Sequence, residues 1–398
     1  MNNMGHHLLY KEYCTGCGLC MTTLKKSYNE DEKGYVTPHL NETDTAFCSI
    51  VCPAGGNALK KYQDGSIWGK YKRIVLGWSN NDRIRKCSSS GGVLTTICLY
   101  LLEKGIVDGI IQTKRSSKDI RKTETILSRT KEDVLACMGS RYTTSSPLMD
   151  LNGLMKSGET YAFVGKPCDV SALRIFMEEM KPDWKEQIEY LFSFFCAGQP
   201  SIQANNKLVS ALGGNNIEEC VDLQYRGNGW PGFAALTKKD GSAKQMDYET
   251  SWMKILGRDV RKICRFCADG TGELADISCG DAWFLGANGR PDFTERAGRN
   301  VILARTEKGT TLLKEIEGVG MIVTESFDPE KDGLRKMQPY HYTRKASLQV
   351  YKWALRLCGR SFPLYDNNKL AKFAKGFSIK QKVLRFGGTV QRVLKGTI

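Results

Sequence analysis

The sequence predicts an α/β protein in three parts: a small cysteine-rich module over 1–68, a larger α/β domain over 69–335 and a basic helical tail over 336–398. Three observations lead there. Cysteines crowd the start as C-x2-C-x2-C followed at a distance by Cys-Pro. From Lys72 onward, apolar runs alternate with stretches of helical period. Arg335–Ile398 carries fifteen Lys and Arg against one acidic residue, Asp366.

A chain of 398 residues can bury a sizeable core, and its 41% hydrophobic and 25% charged content is that of an ordinary globular protein. The opening MNNMGHHLLYKEYC lacks the basic segment and apolar core of an export leader, and no apolar run reaches membrane-spanning length, so a cytoplasmic location is expected. In a reducing compartment the fifteen cysteines are not expected to pair as disulfides. Grouped ones read as metal ligands and scattered ones as small core residues. Nearly all of the formal charge of +15 lies in the tail, which suggests a docking appendage on a neutral body. With no groove-reading motif and no interleaved aromatic and basic surface, nucleic acid is not an expected partner.

In the module, Cys14, Cys17 and Cys20 can converge on one face of a cluster, and Cys52, followed by Pro53, supplies the fourth corner of a 4Fe-4S centre. A zinc knuckle could use the same thiols, but the Cys-Pro ending favours the cluster and a ferredoxin-like module. The position that would begin a second cluster's Cys-Pro is Leu24, so one cluster is expected here, with Cys48 a spare buried thiol. Gly34–Pro38 reads as a turn into a short strand.

In the domain, RIVLGWS, VDGIIQT and TYAFVG read as strands, and VLTTICLYLLEKG and VSALRIFMEEM as helices, which predicts a mainly buried sheet with its site on the loops at strand ends. Ser88, Ser89, Ser90, Gly91 and Gly92 lie between a strand and a helix start. They read either as a cradle for a phosphate or flavin diphosphate or simply as a capped helix. Gly139, Ser140, Arg141 and Tyr142 read as a polar loop or as a clamp beside an anionic ring system. Cys168, Cys196, Cys264 and Cys267 are undecided by spacing alone. Only four histidines are present, all outside the glycine-rich loops, which argues against a hydrolytic triad and towards redox chemistry on a cofactor.

The stretches SSSGGVLTTICLYLLEKGIVDGII, GSRYTTS, FVGKPCDVSALR, FFCAGQPS, YRGNGWPG and CRFCADGTGELADISCGDAW occur in order between residues 87 and 283. Together with the module before them they resemble the coenzyme F420 hydrogenase/dehydrogenase beta-subunit family, over about 300 residues. That resemblance implies an α/β flavin-binding fold holding FAD, with 4Fe-4S clusters, two in this chain, relaying electrons between a carrier and the flavin. It makes Cys168, Cys196, Cys264 and Cys267 candidates for the second cluster, the Ser88–Gly92 loop the leading flavin cradle, and Gly139–Tyr142, Asp276, Gly280 and Asp281 its neighbours. Arg141 stands where the resemblance implies a lysine in deazaflavin-using members, which favours ferredoxin or a similar carrier as donor. Bacterial relatives beside exopolysaccharide genes suggest a small-molecule or lipid-linked substrate.

The tail's apolar stripe, Leu348, Tyr351, Ala354 and Leu355, between positive charges suits an anionic membrane surface at the inner face of the membrane, or an acidic ferredoxin. Two alternatives stand beside the reductase: a noncatalytic electron-transfer subunit, and a deazaflavin-dependent reductase or dehydrogenase.

Overall fold

The computed structural model describes residues 6–396 and 398, so the first five residues of the segment searched for a leader lie outside the described residues. Its centre is an eight-stranded mixed sheet: β1 (Arg73–Ser79), β2 (Gly109–Arg115), β3 (Thr123–Ser128), β4 (Tyr161–Gly165), β5 (Ile188–Phe194), β6 (Ile277–Asp281), β7 (Asn300–Ala304) and β8 (Ile322–Ser326). The order across the sheet is β8-β1-β7-β6-β5-β4-β2-β3. Strands β2, β4, β5 and β6 run parallel, and β1, separated from β6 by the antiparallel β7, points the same way.

Alternation explains why this sheet is buried on both faces. Ile110, Ala162 and Phe192 point to one side, where they meet α1 (Val93–Glu103) and the Leu312, Leu313 and Ile316 face of the helix Glu307–Gly318. Ile111, Phe163 and Leu191 point to the other, against α2 (Pro167–Glu179). Fully burying one such side chain contributes about 1.5–3 kcal/mol. A separate three-stranded antiparallel sheet, Cys220–Gln224, Phe233–Lys238 and Ala243–Asp247, has its own core around Leu223, Ala234 and Leu236.

The cysteine-rich segment and the tail pack on the same face as α2. Tyr13, Leu19, Phe47 and Val51 share one hydrophobic cluster with Phe163, Leu173 and Phe176, and with Leu348, Leu355, Phe362 and Phe373 of the tail. The tail straps over the N-terminal segment: Tyr13 donates to the Ser361 carbonyl at 2.7 Å and the Leu364 amide to the Ala54 carbonyl at 3.0 Å. The charge-based picture of the tail as an appendage therefore fits only its end. Arg344, Lys345 and Lys352 are buried, whereas the last helix, α3 (Ile379–Leu394), leaves Ile379, Val383, Leu384 and Leu394 exposed. None of the described helices is long and apolar enough to cross a membrane.

Candidate functional site

Because β1, β4, β5 and β6 share a direction, the residues that follow them emerge at one edge of the sheet, where α/β proteins place their sites. Ser88–Gly92 follow β1, Cys168 follows β4, Cys196 follows β5, and Asp281 ends β6.

The N-terminal thiols gather beneath this edge. The helix Thr45–Val51 ends at Cys52, whose extended backbone is what a following proline demands, and Pro53 then begins a short helical turn. Gly18, between Cys17 and Cys20, has φ +94°, and a Cβ there would stand 2.7 Å from the Met149 amide nitrogen. Only glycine lets the loop lie that close. Cys14, Cys17, Cys20, Cys48 and Cys52 all line one cavity, closed by Tyr10, Phe47 and Ala172. Burial pushes the Cys17 thiol up to about 11 and Cys48 to about 12, and lifts Cys20 and Cys52 well above the usual thiol range. Their mutual repulsion adds to the effect.

The second four cysteines, far apart in sequence, come within electrostatic reach of one another. Cys168 sits in the first turn of α2, and the Cys196 amide donates to the Gly270 carbonyl at 2.8 Å, which holds β5's end against the Cys264–Cys267 loop. Burial raises Cys196 to about 12, Cys267 to about 11, and Cys168 well above the usual thiol range. The charges of Cys196 and Cys267 bear on Cys168, and those of Cys264 and Cys267 on Cys196. Two cations attend this group. Lys166 pairs with Asp169 at 2.8 Å and lies near Cys168 and Cys196. Arg344 donates to the carbonyls of Cys196 and Ala197, both at 3.0 Å. Tyr365 is buried where both Cys267 and Cys52 act on its phenol, between the two groups. Among the described residues no three His, Cys, Asp or Glu side chains are drawn closely enough together to hold one metal ion.

The two glycine-containing loops touch. The Ser140 amide donates to Ser89 Oγ at 2.6 Å, and Ser90 Oγ donates to the Arg299 carbonyl at 2.8 Å. Gly92 caps α1 at φ +77°. Ser88 Oγ, buried beside this helix start, and Arg141 Nε in the Gly139–Tyr142 loop have no hydrogen-bond partner, and burial draws the Arg141 guanidinium below its ordinary value. Tyr142 packs on Tyr225 and Trp252, with ring centres 5.7 and 4.7 Å away. On the far wall, Asp281 is gripped by Arg226 and by Trp230 Nε1 at 2.8 Å, while Arg226 lies over the Tyr248 and Trp283 rings. At Gly280 a Cβ would press into the Phe195 ring at 2.5 Å. Phe195 in turn packs on His341, and burial holds that imidazole neutral, down to about 3.

Asp276 does not join this group. It precedes β6 and lies at the opposite edge of the sheet, where its carboxylate takes Arg174 at 2.9 Å, the Leu191 amide at 2.8 Å and Thr306 Oγ1 at 2.9 Å. A buried carboxylate with every oxygen occupied ties strands together. Lys166, Arg226, Trp230, Arg344 and Tyr365 were not singled out from the sequence. Arg344 carried a signal: His341, Arg344, Leu348, Tyr351 and Leu355 recur at helical spacing, so the arginine lies on the buried stripe.

Residues 74–152 match the N-terminal family model, and residues 158–330 the C-terminal family model, of the coenzyme F420 hydrogenase/dehydrogenase beta subunit. The chain is 25% identical over 281 residues to the coenzyme F420 hydrogenase subunit beta of Methanococcus voltae, covering 70% of this chain and 92% of that one. It is 26% identical over 356 residues to the coenzyme F420-dependent sulfite reductase of Methanocaldococcus jannaschii, covering 82% of this chain and 51% of that one. A chain of the F420-reducing NiFe hydrogenase complex from Methanosarcina barkeri has the same fold, with a TM-score of 0.58 at 20% identity, over 74% of this chain and 97% of that one.

Proposed function

The chain belongs to the coenzyme F420 hydrogenase/dehydrogenase beta-subunit family, and from that premise we propose that it is an iron–sulfur flavoprotein oxidoreductase. It takes electrons one at a time from ferredoxin or a similar carrier and delivers them in pairs to an organic acceptor, with a lipid-linked sugar the first class to try. Cys14, Cys17, Cys20 and Cys52 are the ligands of one 4Fe-4S centre, and Cys168, Cys196, Cys264 and Cys267 of another. Ser88–Gly92 with Gly139–Tyr142 hold FAD. When bound, the clusters supply single-electron transfer and the flavin supplies the step from one electron to two.

The observation that carries this proposal is that five thiols line one cavity and four others bear on one another's charge, with Cys52 of the first group and Cys267 of the second both acting on Tyr365. For the flavin, the support is the pair of orphaned groups, Ser88 Oγ beside a helix start and Arg141 Nε in the loop that touches it. Arg141 spends one Nη on the Ser140 carbonyl at 3.1 Å, and its orphaned Nε and the Ser88 hydroxyl are groups that a diphosphate would satisfy. Asp281, held by Arg226 and Trp230, and the rings of Tyr142 and Trp252 form the remaining wall. Phe195, between Gly280 and His341, fills the space from there to Cys196.

The relatives' names favour a second reading, in which the deazaflavin coenzyme F420 takes the place of ferredoxin and the chain serves a larger complex. One experiment separates the two. Anaerobic protein is mixed with reduced ferredoxin or with reduced F420, and bleaching of the visible absorption of oxidised flavin is followed. Bleaching by ferredoxin alone supports the first proposal and bleaching by F420 alone the second. No flavin band at all would overturn both.

A further inference from the structure

We propose that the cleft between α3 and the helix Pro339–Ala346 binds the phosphate of a lipid head group and so seats the chain on an anionic membrane. The inference is independent of the redox reading, and its failure would leave that reading untouched.

The cleft has a volume of about 210 Å³, and two separate elements each bring one guanidinium to it, Arg335 from the short helix Leu334–Met337 and Arg385 from α3. Among the described residues neither arginine is in an ion pair, and no carboxylate lines the cleft. The one acid that follows in the chain, Asp366, is spent on the Lys369 amide at 2.9 Å. The Arg335 guanidinium lies over the Tyr342 ring, 4.1 Å from its centre. Stacking of that kind fixes the plane of the group and leaves its N–H edges free to grip an oxyanion. The hydroxyls of Tyr342 and Thr343 also line the cleft and make no hydrogen bond among the described residues. Gln381 gives its Oε1 to the Ser378 amide at 2.9 Å, which leaves its Nε2 for a ligand. Two guanidinium groups, two hydroxyls and one amide nitrogen, with no acid among them, suit a phosphate, whose ionised oxygens only accept.

The rim of the cleft argues for a lipid as the source of that phosphate. Leu384 lines the cleft and is 66% exposed, and Ile379 and Val383 on the same helix are exposed as well. Lys380 and Lys382 stand among them, and α3 carries no acidic residue. Exposed apolar side chains beside an anion-binding cleft suit an amphiphile, whose phosphate enters the cleft while its acyl chains meet those side chains. A soluble phosphate makes no use of them. The helix Pro339–Ala346 also reaches the Asp281 wall: Gln338, at its N-cap, donates to the Asp281 carbonyl at 2.5 Å, and His341 packs on Phe195. A lipid seated in the cleft therefore lies one short helix from that wall.

The test is sedimentation of the purified full chain with phosphatidylcholine vesicles that carry phosphatidic acid. Arg335→Gln combined with Arg385→Gln empties the cleft of charge, and Lys380→Gln combined with Lys382→Gln removes the same charge from α3 outside it. The four side chains lie at the surface, so both variants should fold. The arginine pair should weaken vesicle binding about ten-fold more than the lysine pair. Calorimetric titration with inorganic phosphate should show no binding that the arginine variant loses. Equal weakening by the two variants would mean that only diffuse surface charge is at work, and absence of vesicle binding in the unsubstituted chain would mean that no lipid is held; either overturns the inference. Inorganic phosphate binding that disappears in the arginine variant would make the cleft a site for a soluble phosphate and overturn the lipid assignment.

Discussion

Arg226 holds Asp281 through both guanidinium Nη atoms, at 2.9 and 3.0 Å, at the carboxyl end of β6. Both side chains are largely withdrawn from water, and the arginine is also sandwiched against Tyr248 and Trp283. Asp281→Asn leaves a buried cation unpaired and should cost about 3–5 kcal/mol in urea unfolding. Arg226→Met combined with Asp281→Leu should recover part of that loss. A cost below about 1 kcal/mol would show that the pair is not buried in solution.

Five cysteines line the first cavity, but a 4Fe-4S centre takes four. Cys48 lies within the helix Thr45–Val51, while Cys52 stands free at its end beside Pro53. Cys48→Ser should keep the iron content of the unsubstituted protein, and Cys52→Ser should lose about four irons per chain. Equal loss in both would make Cys48 a ligand.

How far the sequence revealed this site depended on how local each part of it is. Spacing alone marked Cys14, Cys17, Cys20 and Cys52 as candidates, because three of them fall within one short loop and the fourth precedes a proline. The second set is spread over about a hundred residues, and only the sheet's topology brings Cys168 and Cys196 to one edge with Cys264 and Cys267. The strands RIVLGWS and YAFVG and the helix at Val93–Glu103 were readable from period and run length. Asp276 was misplaced because a motif shows neighbours along the chain but not which end of a strand each occupies. Arg344 was hidden by its setting: in a tail with fourteen Lys and Arg, one interior cation looks like surface charge.

Asp259 ties Lys33 of the N-terminal segment, at 2.8 Å, to Ser201, whose hydroxyl donates at 2.6 Å. Burial alone would raise its carboxyl, but these two partners hold it below the usual 3.8. Its contribution is therefore present above pH 3.8 and is lost as pH falls through the lower folded value. Asp259→Asn should destabilise the protein by about 1–2 kcal/mol at pH 7. That gap should stay constant to about pH 5 and close below 3.8. A gap that widens on acidification would contradict the assignment.

The outer face of α3 joins Ile379 and Leu394, each about four-fifths exposed, with Lys380, Lys382, Arg385 and Lys395 and no acidic residue. We expect it to rest on anionic lipid, where each basic residue contributes about 1 kcal/mol. Vesicles rich in phosphatidylserine should sediment the protein at low salt and release it at high salt, and Val383→Glu should weaken binding about ten-fold. Equal binding to uncharged vesicles, or none to either, would leave the helix without this role.

The most direct measurement of the central claim is iron, acid-labile sulfide and protein determined on one anaerobically purified sample. Two 4Fe-4S centres predict about eight irons and eight sulfides per chain. About four of each, or iron without sulfide, would contradict it.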